Sequence, residues 1–310
     1  MTDSTPHVSI CLPVYNGDNY VRQAIESILA QTFEDFELII SDNASTDATG
    51  DICRAASERD NRVRYFRADE NRGLAWNFNR AFSFARGKYS MWIGHDDLMA
   101  PEYVARCVKA MEQDADLVLC YAAMDYIDCN GNLIKIVDQS NPAVLDRPSW
   151  RFFSVLFQPN CDPIFGLMRT EMLKQTKLHG GFADSDHVLL AEMALRGRFH
   201  LLRERLFSKR YHARRTTNLY ADLRERTLVF DPVNGGRVFF PLALEAKEFL
   251  SAINRAALPV NERLRCYQHL LHWLWVIRRR IGNDIGCGLK SIGRRCLRHE
   301  TPARPQSLSG

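Results

Sequence analysis

No stretch of this 310-residue chain is apolar for long enough to cross a bilayer; the apolar run at residues 270–277 falls far short of the ~20 residues that a span needs. Residues 1–7 are polar and contain no signal-peptide core, so the chain is expected to stay in the reducing cytosol. The nine cysteines include no CxxC pair, which argues against both a structural zinc site and a thioredoxin-type motif. They are scattered, and Cys11 and Cys120 lie inside apolar runs, as small core hydrophobes do. No repeat recurs, and low complexity is confined to residues 301–310, a frayed tail. Glycine is missing where a dinucleotide fold would need it. The turn after the first apolar run is Pro13-Val14-Tyr15-Asn16-Gly17, not GxGxxG, which argues against a dehydrogenase. Neither a lysine nor a second glycine lies between Cys11 and Asn19, so a triphosphate loop of the nucleotidyltransferase kind is not there either.

What is present is the composition of a folded globular protein, 46% hydrophobic and 25% charged, with room for one sizeable α/β domain and an appendage. The net charge of +4 is unevenly placed. From Arg255 onward eleven Lys/Arg face three acids, Glu262, Asp284 and Glu300, a local +8 that leaves the remainder near −4. A basic block on a mildly acidic body points to an anionic surface as partner.

Over the first hundred residues two periods alternate. Residues 8–12, 37–41, 63–67 and 89–93 are short apolar β-rich runs. Between them, 20–31, 47–59 and 74–86 repeat at helical spacing. Pro101 opens a further helix to Gln113, and 116–121 reads as another buried strand. This order predicts βαβ units: an α/β, Rossmann-like, mostly parallel sheet flanked by helices. Beyond Tyr126 the pattern loosens. Asn130-Gly131 predicts a hairpin turn and 141–148 a loop, followed by helix 150–157, strand 164–168, helix 186–196 and strand 206–211. Helices at 242–257 and 261–281 close the chain, so boundaries are expected near 125 and 220, with a C-terminal helical extension.

Each of the four N-terminal strands is followed by a polar cluster. They are Pro13-Val14-Tyr15-Asn16, Ser41-Asp42-Asn43-Ala44-Ser45, Asp69-Glu70-Asn71-Arg72-Gly73 and Gly94-His95-Asp96-Asp97. Ligands of open parallel sheets bind at the carboxyl ends of the strands, so four clusters at matching ends mark one crevice.

The stretch VSICLPVYNG…LIISDNASTD…ENRG…MWIGHDDLMAP resembles the nucleotide-binding half of family-2 glycosyltransferases, which have the glycosyltransferase A fold. The likeness continues through GGFADSDHVLLAEMALRG and RYHARRTTN and covers roughly residues 8–218. It implies a nucleotide-sugar-binding half (1–125), an acceptor-binding half carrying the catalytic base (126–220) and a basic helical extension (221–310). It also implies an inverting transferase that uses a nucleoside-diphosphate sugar, UDP- or dTDP-type, with Mg²⁺ or Mn²⁺, and no nucleic acid.

Residue by residue, the resemblance places Pro13, Tyr15, Asn16, Asp42, Arg72 and Asp96 at the donor. Asp42 can accept an imide N–H, Tyr15 can pack on a base, and Arg72 can contact the base edge or a phosphate. Asp42 fits an Asx turn equally well, and Tyr15 and Asn16 fit a tight turn after a strand. Asp96 and Asp97 match metal-binding aspartates. Adjacent carboxylates repel, and a hard divalent cation that also holds phosphate oxygens compensates them. Many relatives carry Asp-x-Asp-Asp here; this chain has Gly94 at the first place, which leaves ribose contact open. His95 is a ligand or a hydrogen-bond partner, and Asp97 is alternatively a helix-flanking acid. The family's base lies in a Glu-Asp pair; here that pair is Ser185-Asp186, so Asp186 takes the role. Asp186 as an N-cap and His187 as the base are the alternatives. His212 aligns near the diphosphate and metal or is structural, and Arg214 and Arg215 are placed to clamp phosphate. A non-catalytic nucleotide-sugar-binding protein or a sugar nucleotidyltransferase is the rival function.

In the extension, Asn261 is expected to cap a helix with Leu264, Tyr267, Leu270, Leu271, Leu274, Ile277 and Ile281 on one stripe. Trp273, Trp275 and Arg278–Arg280 beside that stripe predict a helix lying in an anionic membrane interface at the inner face of the plasma membrane, near a saccharide or lipid-linked acceptor. The alternative is packing on the catalytic domain or on a second subunit in an oligomer.

Overall fold

A computed structural model describes residues 5–136, 143–158, 160–213, 215–220, 222–237 and 240–298. The first half alternates as its periodicity demands: β1 (Val8–Val14), α1 (Val21–Leu29), β2 (Phe36–Asp42), α2 (Thr49–Arg59), β3 (Val63–Arg67), α3 (Leu74–Ser83) and β4 (Tyr89–Trp92). Then come β5 (Leu98–Met99), α4 (Tyr103–Gln113), β6 (Leu117–Ile127), β7 (Leu133–Ile136), α5 (Pro148–Leu156), β8 (Leu167–Arg169), α6 (Thr170–Lys174), α7 (Ser185–Arg196) and β9 (Arg198–Arg210). The extension holds α8 (Thr216–Leu219), α9 (Leu223–Phe230), α10 (Pro241–Arg255), α11 (Val260–Val276) and α12 (Arg278–Arg298).

The strands form one sheet in the order β3-β2-β1-β4-β8-β6-β9-β5, with β7 paired to β6. β1, β2, β3 and β4 run parallel, as expected. The second half adds mixed pairing, antiparallel at β4–β8, β6–β8, β5–β9 and β6–β7 but parallel at β6–β9. β1 is fully buried and has β2 on one side and β4 on the other. The chain leaves β1 in one direction and returns at β4 in the other, and that reversal opens the crevice at the strand ends. Alternate residues of β1 feed two cores. Val8, Ile10 and Leu12 pack with α1 and α4, and Cys11 belongs to the core that holds α5, α7, α10 and α11.

β6 runs through residue 125, so the two halves share a single sheet and the expected boundary lies inside a strand. Near 220 there is likewise no separate core, because Phe249, Ile253, Cys266, Leu270 and Trp273 of the extension pack with Val118, Phe152 and Leu189. Where a strand was expected at 164–168, the chain makes a 3-10 turn, Asp162–Phe165, and pairs only afterwards in β8. Pro163 has no N–H to give a ladder. β9 is far longer than 206–211, since β6 pairs with it from Arg198 to Arg210, with a bulge at Arg203-Glu204 where apolar alternation is lost. β5 is two residues long and α9 is largely polar, so neither carries a readable period. α2 begins at Thr49, whose N–H donates to Asp47 Oδ1 at 3.0 Å. α11 begins at Val260 behind Pro259, so Asn261 lies inside its first turn and is not the cap. Part of the expected 141–148 loop and the whole 301–310 tail fall outside the described residues.

Two features of this framework make predictions. The buried Glu37 carboxylate on β2 receives Ser9 Oγ at 2.7 Å, Arg64 Nη1 at 2.6 Å, and the Arg86 backbone N–H and guanidinium at 3.0–3.1 Å. Burial opposes its ionisation, but these donors outweigh burial and hold its pKa below the ordinary 4.5. A depressed carboxylate contributes stability above its unfolded pKa and loses it as pH falls through the folded value. Urea unfolding of the wild type is therefore expected to weaken below about pH 4.5. Glu37→Gln should be less stable at pH 7 by about 1–3 kcal/mol and flatter in that window. Equal pH slopes for the two proteins would count against this assignment.

Gly73 precedes α3 with φ +92°, and a Cβ there would lie 2.5 Å from the Phe230 carbonyl oxygen and from Pro232 Cδ. The α9 end is thus seated on the loop after β3. Gly73→Ala combines a left-handed backbone with a backbone clash and is expected to cost about 1–3 kcal/mol, measurable by the same unfolding assay.

Candidate active site

The Asp96–Asp97 corner is built by β4, β5 and β9. The antiparallel pairing of Leu98 with Ser208 brings Asp97 to the end of β9, where the Arg210 backbone N–H donates to Asp97 Oδ1 at 2.9 Å. The buried Arg210 guanidinium fixes the corner through neutral acceptors. It donates to the Asp96 carbonyl, to those of Asp128 and Cys129, and to Gln23 Oε1, and it lies 4.6 Å over the Tyr20 ring. His212 Nε2 sits 2.9 Å from Asp96 Oδ2. The other carboxylate oxygens, Asp96 Oδ1 and Asp97 Oδ2, both press on Gly94, at 2.7 and 2.8 Å from where a Cβ would stand. Gly94 therefore lets the two carboxylates converge. His95 is not part of that convergence; its ring packs against Gly17.

Burial raises the Asp97 pKa to about 7, with the neighbouring Asp96 charge adding to it. For Asp96 burial acts in the same direction, but the His212 bond and the His95 charge prevail and take it down to about 2. The Arg210 N–H and the charges of Lys209 and Arg215 do not fully offset burial and the Asp96 charge at Asp97, and a divalent cation would. Among the described residues no group of three His, Cys, Asp or Glu is poised around a single point. Two carboxylates without a protein cage still suit Mg²⁺ or Mn²⁺, which bind through one or two carboxylates and complete their shell with phosphate oxygens and water. The donor set thus fits a cation that arrives with a diphosphate.

Asp186 is the second residue of α7, in the first turn and not at the cap; Asp184, with φ 64°, precedes the helix. Burial and then the Asp184 charge raise the Asp186 pKa, which strengthens it as a proton acceptor. Its Oδ1 accepts the His187 N–H at 3.0 Å. Both His187 ring nitrogens are engaged elsewhere, at Glu245 Oε1 (3.0 Å) and the Val155 carbonyl (2.8 Å), so His187 has no free nitrogen for proton abstraction.

Lys209 joins the two corners. Its ammonium donates to Asp162 Oδ1 at 2.6 Å, and its charge acts on both Asp97 and Asp186. A single lysine charge thus lies within electrostatic reach of both carboxyls. Lys209 stands in the quoted RYHARRTTN neighbourhood, one residue before it, but a lone lysine carries no signal of its own. Asp162 comes from an irregular turn that no period marks.

On the nucleotide side, Pro13 is the last residue but one of β1, and the exposed Tyr15 and half-buried Asn16 (φ 49°) follow the strand. Asn16 Oδ1 accepts the Thr46 N–H at 2.8 Å and ties the first and second strand-end loops together. Asp42 is fully buried. Its Oδ1 accepts the Ser45 N–H (2.8 Å), the expected Asx-type bond, and its Oδ2 accepts Tyr65 Oη (2.7 Å) and Arg67 Nη1 (2.8 Å). Three of about four lone-pair positions are thus used within the protein. Arg72 is set apart. Its guanidinium lies 4.7 Å over the Trp76 ring and lines a cleft of about 270 Å³ with His179, Gly181 and Asp231, which Pro13, Tyr15, Asn16, Asp42, Asp96 and Asp97 do not line. Its backbone N–H still reaches Asn43 Oδ1 at 3.1 Å. Arg215 stacks over Tyr211 at 4.0 Å, and Arg214 lies outside the described residues.

A sheet of this order with carboxylates gathered at its strand ends is the architecture of glycosyltransferase A proteins. The fold matches Staphylococcus aureus TarS 1–349 solved with UDP-GlcNAc, with TM-score 0.58 and 14% identity over 96% of this chain and 93% of that one. It also matches the mannosyltransferase PcManGT of Pyrobaculum calidifontis solved with GDP-Man and Mn²⁺, with TM-score 0.51 and 16% identity over 96% and 89%. The model of Glycosyl transferase family 2 matches residues 9–173, more than half of the chain, and the chain belongs to that family. Among relatives, the putative glycosyltransferase EpsH of Bacillus subtilis is 31% identical over 50% of this chain and 44% of its own length. Glycosyltransferase GlyG of Streptococcus pneumoniae is 29% identical over 64% and 66%. The chain thus spans less than two thirds of the length of either relative.

Proposed function

We propose that this protein transfers a glycosyl group from a nucleoside-diphosphate sugar, UDP- or dTDP-type, to an acceptor hydroxyl with inversion at the anomeric carbon. The observation that carries the reading is the convergence of Asp96 and Asp97 on Gly94, with the Lys209 charge within reach of both Asp97 and the basic carboxylate of Asp186. Asp186 takes the acceptor proton as that oxygen forms the new bond to the anomeric carbon and the bond to the diphosphate breaks. One carboxylate suffices for direct displacement; a double displacement needs a second one at the sugar. Asp97, with Asp96 and His212 beside it, would hold Mg²⁺ or Mn²⁺, which supplies charge neutralisation to the leaving diphosphate. Arg215 is near enough to act on Asp97 and adds positive charge there. Pro13, Tyr15, Asn16, Asp42 and Arg72 remain the donor-side residues in this proposal. The donors in the TarS and PcManGT structures support the nucleotide-sugar class.

The proposal extends to place. No helix among the described residues is long and apolar enough to cross a membrane. The basic extension supports peripheral attachment to an anionic leaflet, where a lipid-linked or saccharide acceptor of polysaccharide or glycoconjugate assembly would be met.

A panel of nucleotide sugars with Mn²⁺ tests the reaction by thermal shift and by nucleoside diphosphate release. A true donor at a hundred times its dissociation constant adds ~2.7 kcal/mol of stability. Stabilisation without any release would leave a binding protein, and no response to any donor would remove the proposal.

A further inference from the structure

The extension does not lie on the protein as a free stripe. Cys266, Leu270, Trp273 and Ile277 of the α11 side are buried in the core, whereas Leu264 (56% exposed), Leu271 (65%) and Trp275 (61%) face outward at positions i, i+7 and i+11. A second exposed aromatic group meets them from α5, in a place the sequence of the extension does not reveal. Trp150 lies 5.0 Å from the His269 ring, and Phe153 lies 4.8 Å from the same ring. Phe157 is 5.8 Å from His272, and His272 stacks with Trp275 at 6.3 Å. Arg278 caps this run of rings, with its guanidinium 4.4 Å over Trp275. Aromatic rings of this kind in mixed polar and apolar surroundings suit the headgroup level of a bilayer.

Charge decides what such a surface meets. Arg278, Arg279, Arg280 and Lys290 are exposed, and among the described residues no carboxylate pairs with any of them. The only acid in α12, Asp284, is turned inward to the Arg224 guanidinium and the Leu242 N–H. The outer side of α12 therefore carries cations and the exposed Ile285 and Leu289, with no anion to offset them. A second copy of this surface would bring cation against cation, whereas an anionic leaflet complements it.

We propose that the ring ladder of α5 and α11, flanked by the unpaired cations of α12, is a docking surface for an anionic lipid bilayer. The inference rests on the membrane reading above and names the surface responsible. Truncation before Asn261 would strip Cys266, Leu270 and Trp273 from the core, so substitutions of outward residues are required.

The full chain is to be sedimented with sucrose-loaded vesicles of phosphatidylcholine, with and without phosphatidylglycerol, at low salt. The wild type is expected to bind only the vesicles containing phosphatidylglycerol. Trp150→Ser with Trp275→Ser should weaken binding about tenfold or more. Arg279→Gln with Arg280→Gln, at fully outward positions, should weaken it about fivefold per charge. Circular dichroism melts check that both variants fold, and the arginine pair keeps the test decisive if the tryptophan pair does not. If the wild type binds and both variants bind as tightly, the ladder is wrong and membrane attachment stands on another surface. If the wild type ignores phosphatidylglycerol vesicles, both the ladder and the membrane reading fall. A concentration-dependent dimer in light scattering that Trp275→Ser dissolves would assign the surface to a second copy and overturn the proposal.

Discussion

Asp186→Asn is expected to lower glycosyl transfer by ~10²–10⁴-fold while leaving donor affinity nearly unchanged. The amide keeps the volume and the Oδ1 that accepts the His187 N–H, so the first turn of α7 is preserved. What it removes is the lone pair that takes the acceptor proton. Because burial raises the Asp186 pKa above its ordinary 3.8, the acidic limb of the wild-type turnover profile should lie above that value, with turnover rising as the carboxyl loses its proton. The asparagine variant should lack that limb. Product analysis by NMR gives the independent check, an inverted anomeric configuration. Retained configuration would refute direct displacement even if the variant were inactive.

Asp97→Asn is expected to be the second severe lesion, roughly 10²–10³-fold in transfer, with loss of Mn²⁺ dependence. Asparagine is preferred to alanine because its carbonyl can still accept the buried Arg210 N–H at the Oδ1 position. Leaving that donor unsatisfied would cost about 1–3 kcal/mol and confuse folding with chemistry. Excess chelator should silence the wild type, and Mn²⁺ should restore it. Undiminished transfer by the wild type in chelator would end the metal assignment, as would a wild-type response to Mn²⁺ in the variant.

α1 to α4 were legible because each buries one periodic face, and β1, β2 and β4 because burial on both faces makes each a short apolar run. β5 was illegible for the opposite reason: it is two residues long, Leu98 and Met99, and its strand pairing comes from β9. The same pairing brings Arg210 to Asp97, so the corner that the motif Gly94-His95-Asp96-Asp97 announced is completed by a contact between residues 113 positions apart. Asp42 shows the limit from the other side. Its residue type indicated both an Asx turn and a hydrogen-bond acceptor, but only three dimensions show Tyr65 and Arg67 drawn onto the same carboxylate. In the extension one helix was expected over 261–281, but it breaks at Ile277 into α11 and α12, and the expected stripe splits: Leu270 and Ile277 are buried, whereas Leu264 and Leu271 face outward.

The seat of Phe230 and Pro232 on Gly73 has a consequence for divergence within the family. The cleft beside Arg72 has one wall from α3, inside the shared segment 9–173, and another from Phe230, Asp231, Val233 and Asn234, which lie beyond it. Change in that second wall leaves the Asp96–Asp97 corner and the β1–β4 scaffold untouched, apart from the one glycine that receives it. Members can therefore drift apart in what enters this cleft at little cost to the shared half, and residues 230–234 are where two close relatives would be compared first.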